Sequence, residues 1–224
     1  METWIGISGW SYPGWRGVFY PAGLPQRREL EYASRKMNSI EINGSFYSLQ
    51  RPTTYRRWLE ETPPGFLFAV KGSRFITHMK SLKDVERPLA NFFASGVLRL
   101  AGKLGPILWQ LPARLRFDPD RLEHFLRLLP CTHAEAAERA AGYDRRLAGR
   151  AWTHPDTDPD RPIRHAFEFR DPSFFSTECL ELLRAHAAAL VFADTAGTWP
   201  YAEDLTADFV YIRLHGAEHH YASG

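Results

Sequence analysis

The chain has 224 residues, of which 44% are hydrophobic and 14% aromatic, so it can bury a substantial core and is not a disordered protein. Its 28 basic and 26 acidic residues give a formal charge of +2, which argues against strong nonspecific nucleic-acid binding driven by net charge. The two cysteines are too few for a disulfide framework or a thiolate zinc site, and no apolar run is long enough to span a bilayer. We therefore expect a cytoplasmic protein with no membrane partner.

Short apolar runs with the alternation of β-strands occur along the whole chain, at 4–8, 39–43, 66–71, 107–110, 166–170, 190–194 and 210–215. Between them lie segments with apolar residues at helical spacing, at 28–37, 53–61, 89–100, 119–129 and 176–188. Strand–helix alternation favours a parallel sheet covered by helices. We predict the α/β class and a TIM-type (β/α) barrel, with about seven of its eight strands. The barrel is expected to be a single domain over residues 1–224, incomplete at its C-terminus.

Residues 131–162 interrupt this alternation. An Ala/Glu/Arg stretch is followed at 153–162 by a segment rich in proline and aspartate, which opposes regular structure. The composition predicts a surface insertion between the fourth and fifth strands. His133 and His154 lie within it without the spacing of a metal site, so exposed loop positions are expected for both.

Ordered motifs at the strand ends resemble a known family. They are GISGWSY at 6–12, IEIN at 40–43, FAVK at 68–71, QLP at 110–112, FEFR at 167–170 and YIRLHG at 211–216. Together they cover almost the whole chain and resemble the YecE-like family, domain of unknown function 72. The resemblance implies a TIM-type barrel and transfers no settled activity. It also implies a further helix and a last strand beyond Gly224, so this chain is expected to lack both.

The polar residues at the strand ends are the candidate site, because active sites of TIM barrels lie at the C-terminal ends of the strands. Alternation places Arg213 and His215 on one face of their strand, as it does Glu168 with Arg170. A buried ion-pair network that only closes the barrel is the structural alternative. Buried ion pairs are weak sources of stability, so a functional cluster is favoured.

Each residue type in this cluster suggests a role. Glu168, Glu41 and His215 are assigned acid–base chemistry, because carboxylates and an imidazole transfer protons near neutral pH. Lysine and arginine side chains suit a phosphate or carboxylate group of a substrate. The expected substrate-binding residues are Lys71, Arg170, Arg213, Asn43, Gln110, Trp10, Tyr12, Tyr47 and Asp194.

These roles predict a hydrolase or lyase that acts on a small anionic substrate, phosphorylated or sugar-containing. One alternative is a divalent metal held by the carboxylates and His215, which the neighbouring cations disfavour, so no cofactor is predicted. The other is a nucleic-acid or ligand-binding module without turnover, in which aromatic side chains of the first loops stack on bases or sugars. Nucleic acid is not the favoured partner, and the sequence predicts no oligomeric state. His78 follows the third strand and is expected to be exposed.

Overall fold

The computed structural model describes residues 2–216. Its strands form one parallel sheet in which neighbours in sequence are also neighbours in space. The sheet is an incomplete TIM-type barrel, which confirms the predicted fold class, and β1 and β7 are its edges within the described residues. The strands are β1 (Gly6–Ser8), β2 (Ser39–Ile42), β3 (Leu67–Lys71), β4 (Leu104–Gln110), β5 (His165–Glu168), β6 (Ala189–Asp194) and β7 (Tyr211–Leu214).

Helices connect the strands and cover the outer face of the sheet. Asp118 and Ser176 cap two of them by accepting hydrogen bonds from backbone N–H groups of the first turn, as N-cap residues do. Within residues 2–216 no helix is both long and apolar enough to cross a bilayer. The α-helices are α1 (Glu29–Ala33), α2 (Gly44–Tyr47), α3 (Pro52–Glu61), α4 (Glu86–Ala94), α5 (Pro119–Leu128), α6 (His133–Ala141) and α7 (Thr177–Ala185).

The two faces of the sheet carry different side chains. The outer face contributes large apolar residues such as Phe68, Trp109 and Phe167 to the core shared with the helices. A separate, smaller apolar cluster includes Leu108 and Ala166. Because strand side chains alternate, the residues two positions after Leu108 and Ala166, which are Gln110 and Glu168, lie on the same face as these small residues. The interior of the barrel is thus apolar towards the N-terminal ends of the strands and polar towards their C-terminal ends. We call the C-terminal end of the barrel the mouth.

The helix predicted over 89–100 is two elements. Helix α4 ends at Ala94, and a 3₁₀ segment, Val97–Lys103, follows. Gly96 lies between them with φ +108°, and a Cβ there would lie 2.5 Å from the Cα of Pro52. The chain therefore turns at a position that only glycine fits.

The segment 131–162 is more ordered than its composition predicts. Its first part forms α6, which packs against α4 and buries Ala136 and Ala140 completely. His133 is also fully buried, so the prediction of an exposed position for it is wrong: alanines at helical spacing gave this stretch a packing face. Residues 153–162 contain no helix or strand, and His154 is exposed as expected.

Candidate functional site

Arg213 of β7 is the centre of an ion-pair cluster inside the barrel. Its Nε and Nη2 donate hydrogen bonds to the two carboxylate oxygens of Glu41 at 3.0 and 2.9 Å, a bidentate pair. Its Nη1 donates to Glu168 Oε2. All three side chains are buried, and they come from β7, β2 and β5. The guanidinium therefore joins strands that are far apart in the order of the sheet.

Glu41 is held by further donors. The Tyr211 hydroxyl donates to Glu41 Oε2 at 2.8 Å, and the Ser8 hydroxyl donates to Oε1 at 3.0 Å. Asn43 Nδ2 donates in turn to Ser8 Oγ at 2.7 Å, so Asn43 reaches the carboxylate through Ser8. Burial and the Glu41 charge raise the pKa of Tyr211 well above its ordinary value, so its hydroxyl remains a donor. Sequence reasoning missed Tyr211, although it shares the alternating face of Arg213.

Glu168 lies between two arginines. Its Oε1 accepts a hydrogen bond from Arg170 Nε at 3.1 Å, while Oε2 accepts from Arg213. Burial alone would raise the pKa of Glu168, but Arg213 and Arg170 lower it below its ordinary value. Glu168 is therefore ionised at neutral pH and can accept a proton there.

Arg170 uses only its Nε in the ion pair with Glu168. Its guanidinium lies 5.2 Å from the ring centroid of Trp199, a cation–π contact with the loop that follows β6. In the described part of the chain its two Nη groups donate no hydrogen bond, and the side chain is 21% exposed. Arg170 therefore keeps a free edge that can bind an anion.

Lys71 is a buried cation of a different kind. Its Nζ lies 4.5 Å from the ring centroid of Phe46 and donates no hydrogen bond to any residue of the range 2–216. Burial, with Arg213 nearby, lowers the pKa of Lys71 to about 8, although Glu41 and Glu168 act in the opposite direction. Lys71 is a buried residue, 7% exposed, and an ammonium that donates no hydrogen bond within residues 2–216 is available to a ligand.

Two neutral imidazoles lie near these charges. His215 Nε2 is 3.3 Å from Arg213 Nη1, and burial with the Arg213 charge lowers the pKa of His215 below its ordinary value. His78 is half-buried, which corrects the expected exposed position; its ring packs edge-on against Phe46 with centroids 5.1 Å apart. Burial, then the Lys71 charge, lowers the pKa of His78 to about 4. Both side chains are therefore proton acceptors at neutral pH.

His78 lies in a π-helical turn, Phe75–Met79, directly after β3. Single π-helical turns are common at functional sites. Gln110, which was expected to bind substrate, is buried at the end of β4 in register with Glu168.

Asp194 does not join the cluster, which corrects its expected position beside the other polar residues of the mouth. Its side chain is exposed, and its Oδ1 accepts a hydrogen bond from the backbone N–H of Ala196 at 3.2 Å. The register of β6 and β7 pairs Ala193 with Arg213. Asp194 is therefore on the opposite face of the sheet from the ion pairs.

The predicted aromatic residues occupy different positions. Trp10 packs on the core, edge-to-face with Trp58 of α3 at 5.2 Å between centroids, so its ring is used in packing. Tyr12 packs against Trp15 at 4.6 Å, and Tyr47 is 70% exposed. The rings that contact the cations of the site are Phe46, which belongs to the aromatic first loops, and Trp199, which does not. Trp199 carries no sequence signal, since it lies in a loop without periodicity.

The charges of the site leave it positive. Lys71, Arg170 and Arg213 face two carboxylates, those of Glu41 and Glu168, which leaves one positive charge in excess. Across the residues that the structure describes, no group of three histidine, cysteine, aspartate or glutamate side chains is arranged to hold a metal ion. The arrangement therefore suits an anionic ligand better than a cation.

Comparison with known proteins gives related sequences. The profile described as "Protein of unknown function DUF72" matches residues 4–224. The UPF0759 protein YecE of Escherichia coli K12 is 33% identical over 130 residues, which are 57% of this chain and 44% of YecE. The UPF0759 protein YunF of Bacillus subtilis is 31% identical over 74 residues, which are 33% of this chain and 25% of YunF. The matched segments thus span less than half the length of these curated relatives.

Solved structures share the architecture. A DUF72 family protein from Thermotoga maritima superposes with a TM-score of 0.70 at 26% identity, covering 99% of this chain and 77% of that one. A DUF72 family protein from Enterococcus faecalis gives 0.64 at 14% identity, covering 98% and 73%, a likeness of fold alone. The profile match over nearly the whole sequence, together with the shared barrel, shows that the chain belongs to the DUF72 family.

Proposed function

We propose that this protein is an enzyme, a hydrolase or lyase, that acts on a small anionic substrate at the mouth of the barrel. The observation that carries the proposal is the pair of available cations, Lys71 and Arg170. Among the described residues neither cation finds acceptors for all its donors, and both lie near a buried carboxylate, Glu168. A substrate carboxylate or phosphate would supply the missing acceptors.

Arg213 takes a different role from the one expected from its sequence position. Three of its nitrogens already donate to Glu41 and Glu168, so little of its guanidinium remains for a substrate. It is better described as a positioning residue that fixes both carboxylates. Arg170 provides the planar fork for the anion, and Lys71 provides the point charge.

The protonation states of these residues support the following proton transfers. Ionised Glu168 and neutral His215 are proton acceptors, so either can remove a proton from a substrate carbon or from an attacking water. Lys71, with its pKa lowered to about 8, carries a proton that it can release near neutral pH. Glu41, with four hydrogen bonds to its two oxygens, holds Arg213 in place and stays out of the proton transfer.

The test is consumption of substrate from a defined mixture. Purified protein is incubated with pooled phosphorylated sugars and carboxylic acids, and each compound is followed by mass spectrometry. We expect one class of anion to be consumed by the wild type and by Arg164→Met, a control at a surface pair with Asp208, but not by Arg170→Met. Consumption that Arg170→Met leaves unchanged would contradict the proposal.

Anion binding is measured separately by thermal unfolding in inorganic phosphate. The wild type should be stabilised in a saturable way, because a ligand that binds only the native state raises the melting temperature. Arg170→Met should lose most of that effect. Equal stabilisation of both proteins would place phosphate elsewhere and remove the basis of the proposal.

A binding module without turnover is the second candidate, favoured by one observation. Tyr47 is 70% exposed and packs edge-on against Phe46, the ring beneath Lys71, at 5.1 Å. An exposed ring next to a cation is a platform on which a base or sugar can stack. Oligonucleotide affinity that falls steeply with salt and is weakened by Tyr47→Ala, without consumption of any metabolite, would favour this candidate.

A further inference from the structure

Lys71 differs in its environment from the four other lysines of the chain. Lys36 and Lys83 are exposed, and Lys80 lies 3.9 Å from Asp84. Lys103 donates hydrogen bonds to the carbonyls of Leu59 and Thr62 at 2.7 and 2.6 Å. Lys71 alone is a buried amine that lies against an aromatic ring and, within residues 2–216, donates no hydrogen bond.

We propose that Lys71 is a nucleophile that forms an imine with the carbonyl group of an anionic substrate, whose acidic group Arg170 binds. This inference rests on the proposed function and narrows it to a lyase acting on an oxo acid or a phosphorylated carbonyl compound. Lys71 is the last residue of β3 and Arg170 lies two residues after β5, so the amine and the anion receptor are at the same mouth, and Arg170 Nε donates to Glu168. A lysine that is desolvated beside other cations is the form in which an amine becomes nucleophilic.

The charged groups around Lys71 shift the equilibrium between its ammonium and its neutral amine. Burial and the positive charges of Arg213 and Arg170 favour the neutral amine, whereas Glu41 and Glu168 favour the ammonium. His78 is neutral and does not oppose either state. Because Arg213 already binds both carboxylates, part of their attraction for the Lys71 proton is compensated. The balance leaves a usable fraction of free amine near neutral pH.

The proposed step balances without a further reactant. The amine nitrogen attacks the carbonyl carbon, a C–N bond forms, and the carbonyl oxygen takes up a proton. The nitrogen then loses a proton to a neutral imidazole, His215 or His78, and the hydroxyl group takes up a proton and leaves as water. One neutral amine, one carbonyl and one proton taken up from solvent thus give one protonated imine and one water, and nothing is oxidised or reduced. The protonated imine withdraws electrons from the neighbouring carbon, which is what cleavage or deprotonation at that carbon requires.

The test traps the imine with glyoxylate, a small anionic aldehyde, and sodium cyanoborohydride, which reduces the imine to a stable amine. Peptide mass spectrometry then measures modification at each of the five lysines. At pH 7 we expect Lys71 to react more than about tenfold faster than exposed Lys36 or Lys83, because an ordinary lysine with a pKa of about 10.4 is almost fully protonated there. The rate at Lys71 should level off above pH 8, whereas the rates at exposed lysines continue to rise.

Formaldehyde, an uncharged carbonyl, is the matched probe. Arg170→Met should lower the glyoxylate rate at Lys71 at least about tenfold and leave the formaldehyde rate within about twofold, since only glyoxylate carries the acidic group. Lys71→Arg should keep the cation, and with it the stabilisation by phosphate, but form no adduct at position 71. These two results together would separate the nucleophile from the anion receptor.

Two results would overturn the inference. One is a rate at Lys71 no higher than at Lys36 with both probes; the other is a glyoxylate rate unaffected by Arg170→Met. If phosphate still stabilises the wild type and not Arg170→Met, the proposed anion site stands while imine formation fails. If phosphate stabilisation is also absent, the proposed function itself is wrong.

Discussion

Replacing Arg213 with methionine should destabilise the protein strongly, and with an unusual dependence on pH. The substitution removes the partner of two buried carboxylates, Glu41 and Glu168, while leaving both in place. Removing one member of a buried ion pair costs about 3–5 kcal/mol, because the remaining charge is desolvated and uncompensated. Arg213 serves two carboxylates, so we expect a loss at the upper end of that range at pH 7.

The sign of the pH effect follows from the pKa of Glu168. In the wild type this pKa is lowered, so the stability that ionised Glu168 contributes is present above the carboxyl group's ordinary pKa and is lost as pH falls through the folded-state value. In Arg213→Met the lowering effect of that cation is lost, so the pKa of Glu168 rises relative to the wild type and the variant gains less stability than the wild type as pH rises. The difference between the two proteins should therefore be smaller at pH 5 than at pH 7.

Urea unfolding followed by tryptophan fluorescence at pH 5, 6 and 7 measures this difference. Arg164→Met is the matched control, because the exposed Arg164 side chain makes only surface contacts, an ion pair of 3.1 Å with Asp208 and a cation–π contact of 5.5 Å with the Phe209 ring. It should cost less than about 1 kcal/mol at every pH. If Arg213→Met costs no more than this control, or costs the same at pH 5 and pH 7, the ion-pair reasoning is refuted.

Three further predictions concern the scaffold, and each is measured by urea unfolding. Burial lowers the pKa of His165 to about 4, so the stability from its neutral form is present above pH 6.5 and lost as pH falls towards 4; His165→Gln should reduce the loss between pH 7 and 5. Gly72→Ala should cost about 2 kcal/mol or more, because its Cβ would lie 2.3 Å from the buried Trp109 ring, whereas Gly102→Ala meets no atom within 4 Å and should cost less. Asp118→Ala should cost about 1 kcal/mol, because it removes the side-chain cap of α5.

Much of the fold could be predicted from the sequence, because one local pattern specifies both faces of each strand. In 39–43 and 166–170, large apolar residues alternate with polar ones, and the structure packs the apolar set under the helices. The same alternation placed Glu41, Glu168 and Arg213 on the inner face of the sheet, where they form the ion-pair cluster. Caps such as Asp118 were also predictable, because an N-cap residue followed by proline has a defined local meaning.

Other features of the site depend on distances that local patterns do not contain. The position of a strand end is uncertain by one residue when it is assigned from sequence. A shift of one residue places a side chain on the opposite face of the sheet, as with Asp194. The pairing of Arg213 with both carboxylates depends on the width of the barrel interior. Trp199 contacts Arg170 from a loop, and His133 is buried by the packing of α6 on α4, which requires the tertiary structure.

The ion-pair cluster is better explained by the positive site beside it than by stability. A buried network can often be replaced by apolar side chains of similar volume with no loss of stability, so folding alone does not require Glu41, Glu168 and Arg213. What apolar residues cannot supply is a fixed carboxylate that holds Arg170 Nε while its outer edge stays open. Nor can they supply the opposing charges around Lys71 that, together with burial, set its pKa at about 8. Under the proposed function the cluster supports the site, and its cost in desolvation is the cost of positioning two cations for an anion.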